Sequence, residues 1–168
     1  MSLEQSHAAR SAFTDDALQG ASQFCTFFVA DLYFGLDVRR VQEVLRSQEV
    51  TPVPKAPAVI AGLINLRGQI VPAIDMRRRL GLPARKPGVE PMNMVVRTED
   101  GAASLLVDEI GDVLDVDAAS FEPVPDNLAA EQRELIRGIC KLRERLLLVL
   151  DAERTLELHG SAQAGGVP

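Results

Sequence analysis

Two stretches of this chain repeat one another, and a repeat restricts the possible folds more than any single motif does. Segments 60–70 and 136–146 share an isoleucine, a glycine, a leucine and an arginine at one constant offset of 76 residues (138 − 62). The pair Asp75 and Asp151 keeps the same offset. A repeated unit of roughly 60–70 residues predicts two similar subdomains with a seam between them.

Two further blocks occur in the same order in both halves. Segment 36–45 resembles 105–114, and the Pro-Val-Pro run at 52–54 is repeated at 123–125. Because the order is preserved, chance is a poor explanation. We expect pseudo-repeats over about 23–82 and 92–156 inside one ordered domain, 23–158.

The two ends of the chain have a different composition from the middle. Residues 1–22 are polar with no sustained period, and residues 159–168 are small and glycine-rich. Such termini are usually poorly ordered. We therefore expect a flexible N-terminal tail and a disordered C-terminal tail.

Composition excludes several function classes. The net charge of −6 argues against a broad nucleic-acid footprint, and 4% aromatic residues with no Trp argue against base-stacking platforms. Cys25 and Cys140 lie in apolar runs, which predicts buried reduced thiols. No apolar run reaches the length of a signal peptide or membrane span, so we expect a cytoplasmic protein.

Between the tails the chain reads as mainly β. Turn signals recur every ~8–12 residues, a spacing typical of small closed barrels. Short helices are expected over 76–80, 129–133 and 152–158, and 38–46 fits either a helical turn or an amphipathic strand. We predict two five-stranded barrels side by side; the sequence leaves open whether the repeats exchange strands. The predicted strands cover 23–29, 32–36, 59–66, 70–74, 92–97, 102–107, 135–142 and 146–150.

The sequence offers no groups for catalysis, cofactor binding or metal binding. The only histidines, His7 and His159, lie in the predicted tails, so a His-dependent triad or multi-His metal site is excluded, and no glycine-rich phosphate loop is present. The Arg77-Arg78-Arg79 run fits an exposed surface or pairing with acidic residues. The acidic cluster lacks the glycine and terminal glutamate of a calcium loop, which predicts a solvated edge; its members are Asp108, Glu109, Asp112, Asp115 and Asp117.

Three residues leave two interpretations open. Arg67 lies at a predicted hairpin tip, and Arg143 is its counterpart in the repeat. A guanidinium there can bond local carbonyls or carboxylates, or it can be held out for a partner protein. Val41 and Glu43 fit a core residue beside a surface residue, and they also fit the wall of a groove between the barrels.

Several motifs together resemble the CheW family of bacterial chemotaxis adaptors. The most specific is the Gly-Leu-Ile-Asn-Leu-Arg-Gly-Gln-Ile-Val-Pro-Ala-Ile-Asp-Met-Arg run at 62–77, preceded by Gly-Leu-Asp-Val at 35–38 and Val-Gln-Glu-Val at 41–44. Further matches follow at 106–113, 123, 138 and 147–151. One departure is Phe34, where the family often has tyrosine.

The resemblance implies a fold of two SH3-like β-barrels related by internal duplication, and an adaptor without catalytic activity. Such proteins couple the cytoplasmic helical tips of methyl-accepting chemoreceptors to a CheA-type histidine kinase, whose regulatory domain is homologous to them. Receptor arrays, which also contain other CheW-like proteins, then hold the adaptor at the inner face of the membrane. By resemblance, Val41, Glu43, Gly62 and Arg67 match coupling positions, and Leu106 and Val107 match a strand near the receptor groove.

A mechanism follows from this expectation. An apolar groove between the barrels, rimmed by Glu43 and Arg67, would accept one face of a receptor helix. The competing class is a barrel that binds single-stranded nucleic acid, which salt-sensitive retention on oligonucleotides would reveal.

Overall fold

The computed structural model describes residues 23–157, which contain short strands, short helices and the connections between them. The predicted tails, 1–22 and 159–168, lie outside the described residues. Within these described residues the α-helices are α1 (Met76–Arg79), α2 (Ala130–Arg133) and α3 (Ala152–Leu156). The strands are β1 (Gln23–Val29), β2 (Leu32–Asp37), β3 (Val41–Leu45), β4 (Ile60–Leu66), β5 (Gln69–Asp75), β6 (Met92–Thr98), β7 (Gly101–Val107), β8 (Glu109–Asp115), β9 (Phe121–Glu122), β10 (Ile136–Lys141) and β11 (Leu146–Leu150).

The strands form two sheets, and each sheet contains strands from both halves of the chain. The six-stranded sheet has the order β8-β1-β2-β11-β10-β9, and the five-stranded sheet has the order β3-β6-β7-β5-β4. The mainly-β prediction with short helices is confirmed. One sheet has six strands where five were expected, because the two-residue strand β9 adds to the edge formed by β10. The halves exchange strands, which the sequence left open.

The two sheets place corresponding strands in corresponding positions. Taking β1–β5 as the first unit and β6, β7, β8, β10 and β11 as the second, both sheets have their members in the order third, first, second, fifth, fourth. The β4–β5 pairing is interrupted between Ile60 and Gly62, and the β10–β11 pairing between Ile136 and Gly138. Shared irregularities of this kind are built features of a strand pair. The exact limits of the pseudo-repeats stay a prediction.

Aspartates end β5 and β11 and begin the helices that follow. The Asp75 side chain accepts hydrogen bonds from the backbone N–H groups of Arg77 and Arg78, and the Asp151 side chain accepts one from Arg154. A carboxylate in this position satisfies N–H groups that the first helical turn leaves unpaired. The matched aspartates of the repeat therefore stop each strand and start each helix.

Three apolar clusters occupy the two faces of each sheet. The largest lies between the sheets and includes Phe27 and Phe34 from one and Met94 and Leu105 from the other. A second covers the other face of the six-stranded sheet. The third lies on the other face of the five-stranded sheet, which we call the β4 cluster; its buried members are Ile64, Leu66, Val71, Ala73, Val95 and Leu106.

The five-stranded sheet curls around the β4 cluster. Its two terminal strands, β3 and β4, both contribute to this cluster, through Leu45 and Ile64. Because alternate residues of a strand point to opposite faces, Val95 faces the β4 cluster while Val96 faces the core between the sheets. Because the sheet curls, its own strands cover the β4 cluster on one face while the other face packs against the core between the sheets.

Segment 38–46, which fitted either a helical turn or an amphipathic strand, contains one of each in succession. Residues Val38–Arg40 form a 3-10 helix, and β3 follows directly. The acidic segment was expected to be only a solvated edge, yet most of it is strand β8. Glu109, Asp112, Asp115 and Asp117 are exposed as predicted, whereas Asp108 is largely buried.

Asp108 is the centre of an ion cluster, which we call the Asp108 cluster. Its carboxylate accepts hydrogen bonds from the Ala30 backbone N–H, at 2.6 Å, and from the guanidinium groups of Arg77 and Arg85. These groups belong to the β1–β2 turn, α1 and the connection after α1. Burial alone raises the pKa of Asp108, but the bonds from Arg77, Ala30 and Arg85 outweigh it and leave the pKa below its ordinary value. The cluster ties the two sheets together beside the core.

Both cysteines are free thiols, as predicted. Cys140 is fully buried, and burial raises the pKa of its thiol to about 12. Cys25 is only partly buried, so the prediction of a buried thiol is wrong for this residue.

Candidate functional site

The most distinctive surface feature is a forked ion pair between Glu43 and Arg67. The two terminal guanidinium nitrogens of Arg67 donate to the two carboxylate oxygens of Glu43, each at 2.9 Å. The Arg67 side chain is 77% exposed and that of Glu43 only 18%. Two parallel bonds fix the guanidinium plane in a way that a single contact does not. The pair therefore presents the Arg67 guanidinium at the surface in a fixed orientation.

A β-bulge places Glu43 at this position. In the β3–β6 pairing, Val41 lies opposite Val96 and Glu43 lies opposite Val95, so Gln42 is the extra residue. Val41 packs against the core between the sheets, whereas Val95 belongs to the β4 cluster. A bulge re-aims the side chains that follow it. Glu43 is thus directed to the mouth of the curled sheet, where Arg67 covers it.

Arg67 lies at the tip of the β4–β5 hairpin with a positive φ of 53°. Positive φ is uncommon for residues other than glycine. The next residue, Gly68, also has positive φ, and its N–H donates to the Asn65 side chain at 2.8 Å. The turn is therefore closed by its own hydrogen bond, which makes it a defined base for an exposed arginine.

The ion pair keeps both groups charged. Hydrogen bonding to Arg67 lowers the pKa of the Glu43 carboxyl below its ordinary value, despite an opposing effect of desolvation. The same bond raises the pKa of Arg67. Neither group changes its charge near neutral pH, so the site offers fixed charges rather than a proton to transfer.

Gly62 matters because the backbone of another segment passes too close to it for any side chain. A Cβ at this position would overlap the Thr51 carbonyl oxygen and would lie 2.7 Å from the Thr51 carbonyl carbon. Thr51 and Leu63 exchange two backbone hydrogen bonds of 2.8 Å across this approach. Gly62 therefore allows segment 46–58, which follows β3, to lie against β4.

The remaining predicted site residues are less exposed. Val41 is partly buried against the core between the sheets. Leu106, 4% exposed, faces the β4 cluster, and Val107, 0% exposed, faces the core between the sheets. The structure brings Glu43 and Arg67 into contact and places Gly62 on the strand that leads to Arg67. The side chains of Leu106 and Val107 do not reach the surface.

A second surface feature escaped the sequence reasoning. The Arg145 guanidinium carbon lies 5.2 Å from the ring centre of Phe28 and 5.0 Å from that of Tyr33, within the range of a cation–π contact. The three residues border an open cleft of about 410 Å³. Phe28 and Tyr33 face each other in the β1–β2 hairpin, but Arg145 reaches them from the β10–β11 turn only in the folded chain, so residue order did not reveal the contact.

The counterpart of Arg67 behaves differently. Arg143 is exposed on the β10–β11 hairpin, and within residues 23–157 it forms no ion pair. The same described range contains no group of three or more His, Cys, Asp or Glu residues able to hold a metal ion. Nor is any helix in that range long and apolar enough to cross a membrane.

Known proteins resemble this chain over most of its length. The model of the CheW-like domain matches residues 23–159. The chemotaxis protein CheW of Rhizobium meliloti (strain 1021) is 31% identical over 134 residues, which cover 80% of this chain and 86% of that protein. CheW of Bacillus subtilis (strain 168) is 30% identical over 147 residues, covering 88% and 94%.

A solved structure shares the fold. The crystal structure of the scaffolding protein TtCheW from Thermoanaerobacter tengcongensis aligns with a TM-score of 0.74 and 29% identity, covering 83% of this chain and 95% of that one. Together with the match over residues 23–159, these relatives show that the chain belongs to the CheW family.

Proposed function

We propose that this protein is a non-catalytic scaffold that couples the cytoplasmic helical tips of chemoreceptors to a CheA-type histidine kinase. Relatives of similar length are chemotaxis proteins, and the similar solved structure is a scaffolding protein. The observation that carries the proposal is the Glu43–Arg67 fork on a closed hairpin. In this role the protein works at the cytoplasmic face of the membrane, held there by its receptors.

The fork suits a protein partner because its geometry is fixed while Arg67 still has unused N–H donors. Glu43 takes one N–H from each terminal nitrogen of Arg67. A guanidinium has five N–H donors, and within the described residues the other three of Arg67 have no acceptor. An acidic or carbonyl group on a partner can use them without breaking the existing pair.

Exposed apolar side chains flank the fork along the chain. Val44, next to Glu43, is 38% exposed, and Ile70, at the start of β5, is 56% exposed. The space between the two sheets is filled by the largest core cluster, so a helix would dock on this outer surface rather than in an open seam. Mixed apolar and charged contacts of modest area suit an interface that must exchange.

Scaffolding by this surface requires no chemical step. Each receptor, adaptor and kinase contact is weak alone, and an array raises the effective concentration of every partner. Signal passes when receptor state changes the relative affinities within the complex. The fixed charges of Glu43 and Arg67 make the contact insensitive to small changes of pH near neutrality.

The direct test is reconstitution with the kinase and a receptor cytoplasmic fragment. ATP-dependent autophosphorylation should rise only when all three components are present, and Arg67→Ala should abolish most of that rise. Arg39→Ala is a matched control, since Arg39 is 54% exposed and also pairs with a neighbouring carboxylate, that of Asp37. No stimulation with the parent protein and competent partners would contradict the proposal.

A charge exchange separates partner contact from internal pairing. The double variant Glu43→Arg, Arg67→Glu keeps an ion pair at the same place but reverses the exposed charge. If the fork binds a partner, the double variant stays folded and fails to stimulate. Full stimulation by the exchanged pair would show that the fork acts only within the protein.

A further inference from the structure

A network of hydrogen-bonded buried polar groups, which we call the Asn93 network, lies beneath the site, inside the curled five-stranded sheet. The Ser104 hydroxyl donates to the Asn93 side-chain oxygen at 2.8 Å, and the Asn93 amide donates to the Arg46 carbonyl oxygen at 3.1 Å. Ser104 is 0% exposed and Asn93 is 1% exposed. The Asn93 network runs from a central strand, β7, through β6 to the end of β3.

The position of the Asn93 network relative to the fork follows from strand register. Asn93 lies opposite Leu45, two residues beyond Glu43 on β3, and Ser104 lies opposite both Val95 of β6 and Ala73 of β5. Strand β5 continues from the hairpin that carries Arg67. The Asn93 network therefore links β3, which carries Glu43, to β7, which pairs with β5.

Burying these polar groups has no evident advantage for stability alone. A buried polar pair roughly breaks even against apolar side chains of similar size, whereas an unpaired one is costly. Its best-attested benefit is to specify register and position. Strand β3 needs such help, because it lies at the end of its sheet, pairs with β6 alone among the described strands and carries a bulge.

We infer that Asn93 and Ser104 are positioning residues for the Glu43–Arg67 fork. By bonding the Arg46 carbonyl, they set where β3 ends and hold Glu43 at the distance that allows two bonds to Arg67. The importance of this for partner binding rests on the proposed function. The positioning itself is a property of the isolated protein and can be measured without a partner.

The test variant is the double substitution Asn93→Leu, Ser104→Ala in the full chain. It replaces Asn93 with an apolar side chain of the same branching and the same number of heavy atoms, and Ser104 with a smaller one, so the protein should fold. We measure the Glu43 carboxyl pKa by ¹³C NMR titration and the exchange of the β3 backbone amides. A retracted or mobile β3 weakens the bonds from Arg67, so the Glu43 pKa should rise toward its ordinary value. Exchange at β3 should become about tenfold faster, as expected when roughly one hydrogen bond is lost locally.

The control is Val116→Ala. Val116 is 5% exposed and packs in the cluster on the far face of the six-stranded sheet, so its truncation lowers stability without touching β3. The Glu43 pKa should stay unchanged in this variant. If the double variant does not fold, Ser104→Ala alone is measured in the same two ways.

An unchanged Glu43 pKa in the folded polar-deletion variant overturns the inference, since the fork would then hold itself. Equal changes in the Val116→Ala control also overturn it, because a general loss of stability would explain them. If the pKa responds as expected but the parent protein gives no kinase stimulation with competent partners, the positioning role stands and the proposed function fails.

Discussion

Placing a methyl group at Gly62 tests how segment 46–58 is held against β4. The Gly62→Ala Cβ would overlap the Thr51 carbonyl, so the segment must move and the two Thr51–Leu63 hydrogen bonds are lost or stretched. Each bond contributes about 1 kcal/mol net, and the positive φ of 156° adds about 1 kcal/mol of backbone strain. We expect Gly62→Ala to lower the free energy of unfolding by about 3 kcal/mol.

A glycine with similar backbone geometry and open surroundings supplies the control. Gly101 has a φ of 128°, and an added Cβ there meets no atom within 4 Å. Gly101→Ala should therefore show only the strain, about 1 kcal/mol. Urea denaturation followed by circular dichroism measures both variants, and a loss of about 3 kcal/mol corresponds to a fall in Tm of roughly 10 °C for a domain of this size.

The location of the damage is a second readout of the same experiment. Faster exchange at the Thr51 and Leu63 amides in Gly62→Ala, with the β6 and β7 amides unchanged, is the expected pattern. Equal losses of stability in the Gly62 and Gly101 variants would refute the steric reasoning. So would normal protection at Thr51 in the Gly62 variant.

The remaining predictions concern the ion cluster and the exchanged strands. Asp108→Asn should lower the free energy of unfolding by about 1–2 kcal/mol at pH 7, because Arg77 and Arg85 lose a partly buried partner. Since the folded pKa of Asp108 lies below its unfolded value, its contribution is present above about pH 4 and is lost as the pH falls through the folded pKa. The stability gap between parent and variant should then narrow at pH 3 in urea titrations, and a constant gap would contradict this account. Separate chains covering 23–91 and 92–157 should each lack a cooperative unfolding transition and regain one when mixed, since each sheet needs strands from both; a cooperative transition in either fragment alone would contradict this.

Local chemistry explains which elements could be predicted. The Arg67-Gly68 turn, the aspartates that cap α1 and α3, and the alternating apolar strands depend on residues close together in the chain. Strand β8 was missed because its exposed face carries the acidic residues that suggested a solvated edge. Glu43 and Arg67 were both expected at the rim of one groove, yet nothing in the sequence showed that they form an ion pair with each other.

Residue order and spacing were enough to identify the repeat, the mainly-β class and the family, because each is a pattern along the chain. Three features became visible only in the folded chain: the halves exchange strands, Thr51 lies over Gly62, and Asn93 and Ser104 are hydrogen-bonded beneath the fork. Strand pairing and close approach depend on which backbone groups meet after the chain has turned back on itself. Period and turn chemistry show where a strand begins and ends, but they do not identify the strand beside it.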